Sequence, residues 1–283
     1  MEVRTIGILG AGTMGAGIAQ VMAQAGIRVR LVDVSEDILS RSARRLRSSL
    51  EGAVERGRLT REQAAQVEGL VAYSADDAPL AEADWVIEAV SEDMDLKGAV
   101  LRRLGEVLGE HVPLATNTST FRIADLAPLC GRPERFLGMH FFNPPPAMKL
   151  VEVIPSAHTA PEVTQAAVDL CERVGKTPVV VPDIAGFVVN RAFAALVAAA
   201  IDVWAQGAEP ATVDQCLELG LGHKLGPLVT ADLVGLDVML TILRSLHAQT
   251  GHPRFEPHAR FAELVASGKL GRKSREGFYR YDE

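Results

Sequence analysis

The chain is poor in the residues that staple or metallate a fold. Its three cysteines, Cys130, Cys171 and Cys216, are odd in number and far apart, and no CxxC pair occurs. That excludes a disulfide framework or a cysteine-rich zinc site as the organising feature and fits a reducing, cytoplasmic compartment. His247, His252 and His258 lie at spacings of five and six, with Gly251 and Pro253 between them. They miss the i, i+4 separation of a helical metal pair, so no metal is expected. Positive charge is also scarce: 29 Lys and Arg against 36 Asp and Glu leave a net charge of −7. Neither nucleic acid nor an anionic membrane is the expected partner. The most apolar stretch, AFAALVAAAI over 192–201, is too short to cross a bilayer and reads as a buried helix. The opening MEVRTIGILGAG lacks the layout of a secretory leader. No internal repeat or low-complexity tract is present.

What remains is ordinary globular composition, 48% hydrophobic and 23% charged over 283 residues, enough for about two domains. The first thirty residues are the most informative. Residues 3–9 read as a buried strand, GAGTMG as a glycine turn, 13–25 as a helix, and RVRLVD as a second strand ending at Asp33. Gly10, Gly12 and Gly15 have the GxGxxG spacing, with Thr13 and Met14 inside the same turn. Gly10 permits the tight turn, Gly12 lets a pyrophosphate approach the backbone, and Gly15 lets helix and strand pack closely. The helix N-terminus offers free N–H groups to the phosphates. A lone GxGxxG is weak evidence, but strand, glycines, helix, second strand and terminal acid occur here in order. Asp33 is placed to accept hydrogen bonds from an adenosine ribose. It would repel a 2′-phosphate, and Ser35, Glu36 and Asp37 bring no cation. The expected cofactor is therefore NAD.

Two further apolar segments, ADWVIEAV (83–90) and VPLATNTST (112–120), read as strands. In open α/β sheets ligands bind beyond the carboxyl ends of strands, where Glu92, Lys97, Asn117 and Ser119 fall. Helix capping explains Glu92 and Ser119 equally well. Strands are also expected over 136–142 and 150–154, joined by NPPP, which cannot continue a central strand. That connection would place His140 beside Glu152. Both faces of LVEVI are apolar, so Glu152 should be buried and paired. A carboxylate beside an imidazole orients the ring and stabilises the imidazolium, as a positioned general base requires.

The segment from 41 to 63 carries seven arginines. A phosphate site and a solvated helical face balanced by Glu51, Glu55 and Glu62 are both open for it. Beyond Pro182 and Gly186 the periodicity is helical throughout. Leu236, Leu240 and Leu243 form one apolar face, and a helix over 188–206 carries Asn190 near its start.

Taken together, IGILGAGTMGAGIAQ, NTST, GMHFFNPPPAMKLVEVI, GFVVNR, GPLVTADLVGLD and LGRKSREGFYRY resemble the L-3-hydroxyacyl-CoA dehydrogenase family over nearly the whole chain. The resemblance is strongest to short bacterial 3-hydroxybutyryl-CoA dehydrogenases. It implies an α/β fold: a Rossmann-like NAD-binding domain over 1–184, then an all-α domain over 185–283 that dimerises. It also implies reversible NAD-dependent oxidation of an acyl-CoA substrate. By position, His140 matches the family's catalytic base and Glu152 its partner. Ser119 and Asn190 match groups that bind the substrate oxygen, and Asn143 lies in the same motif. Glu92 and Lys97 match residues near the nicotinamide. The family's coenzyme A chain runs beside the arginine-rich excursion, where the usual lysines are replaced and Arg56 is the best surviving cation. GHKLGP (222–227) also departs from the family's pattern. Two other readings compete with this one: a dehydrogenase of free hydroxy acids such as L-gulonate, and a non-catalytic NAD-binding protein.

Overall fold

A computed structural model describes residues 2–281. The chain divides into two compact units, Met1–Asp183 and Ile184–Glu283. The first unit begins with strand β1 (Thr5–Leu9), helix α1 (Thr13–Gln24), β2 (Arg28–Val32), helices α2 (Glu36–Glu55) and α3 (Arg61–Gly69), and β3 (Val71–Ser74). It continues through β4 (Trp85–Glu88), α4 (Met94–Val107), β5 (Leu114–Thr116), a short helix α5 (Ile123–Leu126) and the pair β6 (Phe136–Phe141) and β7 (Leu150–Pro155). Helix α6 (Pro161–Arg173) and β8 (Thr177–Val180) complete it.

These strands form one eight-stranded sheet in the order β3-β2-β1-β4-β5-β6-β7-β8. Every neighbouring pair is parallel except β6 and β7, which are antiparallel. The order reverses between β1 and β4, so a crevice opens beyond their carboxyl ends. All five residues of β1 and all four of β4 are buried, as expected for strands covered on both faces. α2 starts on a Ser35 cap, whose hydroxyl accepts the Ile38 amide, and α3 on a Thr60–Gln63 capping box.

The connection between β6 and β7 is held from two sides. The Lys176 ammonium donates to the carbonyls of Pro145 at 2.6 Å and Met148 at 2.8 Å. Burial pushes this ammonium below the ordinary lysine value. On the other side Pro145 lies directly on α1: a Cβ on Gly17 would fall 2.7 Å from the proline Cδ. Gly17 is thus a glycine that close packing requires, and it lies outside the GxGxxG spacing.

The second unit is helical: α7 (Val189–Ala205), α8 (Pro210–Leu221), α9 (Pro227–Val234), α10 (Leu236–Thr250) and α11 (Ala259–Ala266). Leu236, Leu240 and Leu243 all enter its core with Ala194, Val197 and Phe261. Two buried acids pin the final segment. Asp232 accepts the amides of Phe278 and Tyr279 at 3.0 Å and the Tyr281 hydroxyl at 2.9 Å. Asp214 accepts the amides of Leu228 and Val229 and the Tyr279 hydroxyl. Burial pushes the Asp232 carboxyl above its usual range, against the pull of those donors. His252 and His258 serve as caps, accepting the amides of Arg254 and Arg260.

Candidate active site

The glycine turn joins β1 to α1. Gly10 has φ +103, and its amide donates to the Val32 carbonyl. A Cβ on Gly15 would overlap the Gly10 carbonyl, which is the close helix–strand packing that the spacing predicts. Gly12 differs: a Cβ there meets no protein atom within 4 Å. Internal packing therefore does not explain its glycine, whereas the close approach of a ligand would. The Asp33 carboxylate braces the turn, accepting the Ala11 amide at 2.9 Å and the Ser35 amide at 3.1 Å. A cavity of about 320 Å³ opens here, lined by Gly10, Gly12, Asp33, Val34 and Val90 among others. Its wall also includes a cation that sequence proximity hides. Arg103 of α4 lines the cavity, with its guanidinium 2.7 Å from Asp77. Thr13 is exposed at the helix start, whereas Met14 packs against the sheet core.

Beyond β6 and β7, His140 and Glu152 are register partners on adjacent antiparallel strands. His140 Nδ1 lies 2.7 Å from Glu152 Oε2, with His140 5% and Glu152 1% exposed. A carboxylate only accepts, so Nδ1 carries the hydrogen and the other ring nitrogen, Nε2, is the one that exchanges a proton. The Phe142 ring packs on the imidazole with centroids 4.5 Å apart. Asn117 sits at the end of β5, where its side-chain oxygen accepts the Phe141 amide at 2.9 Å, tying β5 to the histidine strand.

Ser119 lies on the turn after β5, and its amide donates to Glu92 at 2.9 Å. Glu92 in turn lies 3.3 Å from the Lys97 ammonium. The structure therefore brings Glu92, Lys97 and Ser119 together. It adds a partner that the sequence reading passed over: Glu88, fully buried, whose carboxylate holds Lys97 at 2.8 Å and 3.0 Å. Burial alone would raise the Glu92 carboxyl. Lys97, the Thr118 and Thr120 hydroxyls and the Ser119 amide outweigh it and hold the group below its usual range. The sign follows: a lowered folded-state value contributes stability above the ordinary glutamate value, about 4.3, which is lost as pH falls through the lowered value. Glu92→Gln should therefore flatten the acid limb of stability. Urea unfolding at pH 7 and at a pH well below the ordinary glutamate value checks this, and an unchanged difference between the two would refute it.

Three other residues stand apart. Asn143 lines a separate cavity of about 180 Å³ with Thr13, Gly17, Arg45, Ser49 and the three prolines. Arg56 caps the end of α2, exposed and folded back over Gly52. Arg47 pairs with Glu68 and Arg41 with Asp37, so part of the arginine segment is a solvated, paired face. Asn190 lies in the first turn of α7, in the second unit.

A doubly wound sheet with a glycine turn, a terminal acid and a buried imidazole–carboxylate pair is the layout of a dinucleotide-dependent oxidoreductase. Comparison with known proteins narrows the class. Residues 5–184 match the family model of the 3-hydroxyacyl-CoA dehydrogenase NAD binding domain, and residues 186–281 match that of its C-terminal domain. A probable 3-hydroxybutyryl-CoA dehydrogenase of Bacillus subtilis is 39% identical over 284 residues, covering 100% of this chain and 99% of its own length. The mitochondrial hydroxyacyl-coenzyme A dehydrogenase of Rattus norvegicus is 39% identical over 287 residues, covering 99% of this chain and 91% of its own length. The crystal structure of (S)-3-hydroxybutyryl-CoA dehydrogenase from Ralstonia eutropha superposes with a TM-score of 0.96 at 39% identity, each chain covered in full. The chain belongs to the 3-hydroxyacyl-CoA dehydrogenase family. Among the described residues no helix is long and apolar enough to cross a membrane.

Proposed function

We propose that the protein is a cytoplasmic, NAD-dependent dehydrogenase of short-chain L-3-hydroxyacyl-CoA thioesters, 3-hydroxybutyryl-CoA foremost. The observation that carries this reading is the buried His140–Glu152 pair on facing strands, together with the family membership. Residues 1–184 serve as the NAD-binding domain and 185–283 as the substrate and dimerisation domain. Gly10, Gly12, Thr13, Met14 and Gly15 receive the pyrophosphate, and Asp33 the adenosine ribose. Val34, apolar yet 76% exposed beside Asp33, supplies a surface for the adenine. Glu92, Lys97, Asn117 and Asn143 complete the cofactor side.

When bound, NAD supplies the acceptor for the hydrogen and electron pair that leave C3 of the substrate. His140 takes the proton of the 3-hydroxyl on Nε2, and Glu152 holds the ring and offsets the charge that develops on it. In reverse, protonated His140 donates. Ser119 and Asn190 hold the substrate oxygen. Arg56, joined by Arg45, offers cations to the coenzyme A phosphates. Comparing turnover of acetoacetyl-CoA with that of a free 3-hydroxy acid tests the assignment. Preference for the free acid would move the protein to the hydroxy-acid branch. The absence of both NADH oxidation with acetoacetyl-CoA and NAD reduction with the free acid would make it a non-catalytic binder.

Asp33 should set the cofactor. Replacing Asp33 with Ser and Val34 with Arg removes the carboxylate–phosphate repulsion and adds a cation. The NADPH/NADH ratio of kcat/KM should rise at least about tenfold, equivalent to ~1.4 kcal/mol. An unchanged ratio would remove Asp33 from the ribose site. A second copy of the chain is the partner that fits the second unit, where Leu219 is 81% and Leu221 62% exposed on α8. Sedimentation velocity reads a dimer or contradicts it.

A further inference from the structure

Glu88 and Lys97 are fully buried; the reading above gives Glu88 no role and Lys97 only a place on the cofactor side. A buried ion pair is weak evidence for stability, because an apolar pair of similar volume is often as stable or more so. What this pair touches is more telling. Glu88 Oε1 accepts the Val90 amide at 2.7 Å, and the Lys97 ammonium reaches the Val90 carbonyl at 3.4 Å. Both backbone groups of Val90, a wall residue of the dinucleotide cavity, are thus held by one ion pair. The Thr116 hydroxyl donates to the other Glu88 oxygen at 2.6 Å, fixing the end of β5. Lys97 also lies beside Glu92, whose Oε1 gathers four donors from one turn: the Thr118 hydroxyl at 2.5 Å, the Ser119 amide at 2.9 Å, the Thr120 amide at 3.0 Å and the Thr120 hydroxyl at 2.8 Å.

We propose that Glu88, Lys97 and Glu92 are positioning residues that couple the wall of the dinucleotide cavity at Val90 to the turn carrying Ser119. The proposal rests on the functional reading above, in which Ser119 holds the substrate oxygen. It adds to the place of Glu92 and Lys97 on the cofactor side a hold on the Ser119 turn, which amide exchange reads without cofactor. Lys97 is the central link. Held by Glu88, it also lies 3.3 Å from Glu92, and Glu92 accepts the Ser119 and Thr120 amides. A group misplaced by an ångström loses much of its catalytic value, so the chain would act on kcat without touching substrate.

The double variant Glu88→Gln with Lys97→Met separates positioning from stability. It removes both buried charges together; the amide oxygen at 88 can still accept from Val90, and its NH2 can donate to the Thr116 hydroxyl, which accepts as well as donates. The expected result is a melting temperature near wild type. Amide exchange at Ser119 and Thr120 should become at least about tenfold faster, and kcat should fall at least about tenfold. Recovery of stability, exchange and kcat together would show that the pair only balances its own charge, and would overturn the proposal. Glu92→Ala provides a second test, because it leaves the Glu88–Lys97 pair intact. It should speed the same two amides and lower kcat by a similar factor, and a kcat within about twofold of wild type would overturn the proposal. If the wild-type chain itself shows no turnover, the functional reading falls. The exchange rates in the double variant then still decide whether the chain holds the turn.

Discussion

His140→Gln should lower turnover of acetoacetyl-CoA by about 10²- to 10⁴-fold, the usual worth of a positioned general acid–base group. Glutamine roughly keeps the volume of imidazole but cannot exchange a proton near neutral pH. His140 lies on β6, while the glycine turn joins β1 to α1 and Asp33 follows β2, so NADH affinity should stay within about threefold. The variant should also fold, because glutamine still donates to Glu152. Fluorescence titration with NADH and steady-state kinetics on the same preparation give both numbers. Turnover within threefold of wild type would remove His140 from the chemistry.

Glu152→Gln comes next in expected effect. The amide oxygen can still accept the Nδ1 hydrogen across the 2.7 Å contact, so ring orientation and melting temperature should change little. What disappears is the negative charge that offsets the imidazolium formed in the reaction. Loss of a preorganised charge beside a catalytic histidine should cost kcat about 10²-fold, with KM nearly unchanged. Glu152→Leu adds the loss of an acceptor for a buried donor, and should lower stability by about 1–3 kcal/mol as well. Equal kcat in wild type and Glu152→Gln would mean that Glu152 orients the ring and does no more.

The features legible in the sequence were the local and periodic ones. Each β-strand named from composition is present, and FLGMHFFNPPPAMKLVEV folds into the facing strands that its apolar runs and prolines implied. Three features were harder to see, each for a physical reason. Glu88 sits in ADWVIEAV, an apolar run of the same kind that drew attention to Glu152, and the same burial argument would have found it. Its partner Lys97 is nine residues away on another element, so the pairing emerges only when α4 packs on the sheet. Gly17 looks like an ordinary helix glycine until Pro145 is placed against it. Lys176, from its charge, reads as a surface residue, yet the carbonyls it binds are 31 and 28 residues earlier. Long-range contacts of this kind leave no periodic trace in the sequence.

The central claim is that a His140–Glu152 couple serves the oxidation of an L-3-hydroxyacyl-CoA thioester. Its most direct test is the initial rate of NADH formation at 340 nm with NAD and three substrates: L-3-hydroxybutyryl-CoA, its D isomer and free L-3-hydroxybutyrate. NADH should form with the L thioester, at a kcat/KM at least about tenfold above either alternative. Equal rates with the free acid, or no NADH from the L thioester, would contradict the assignment.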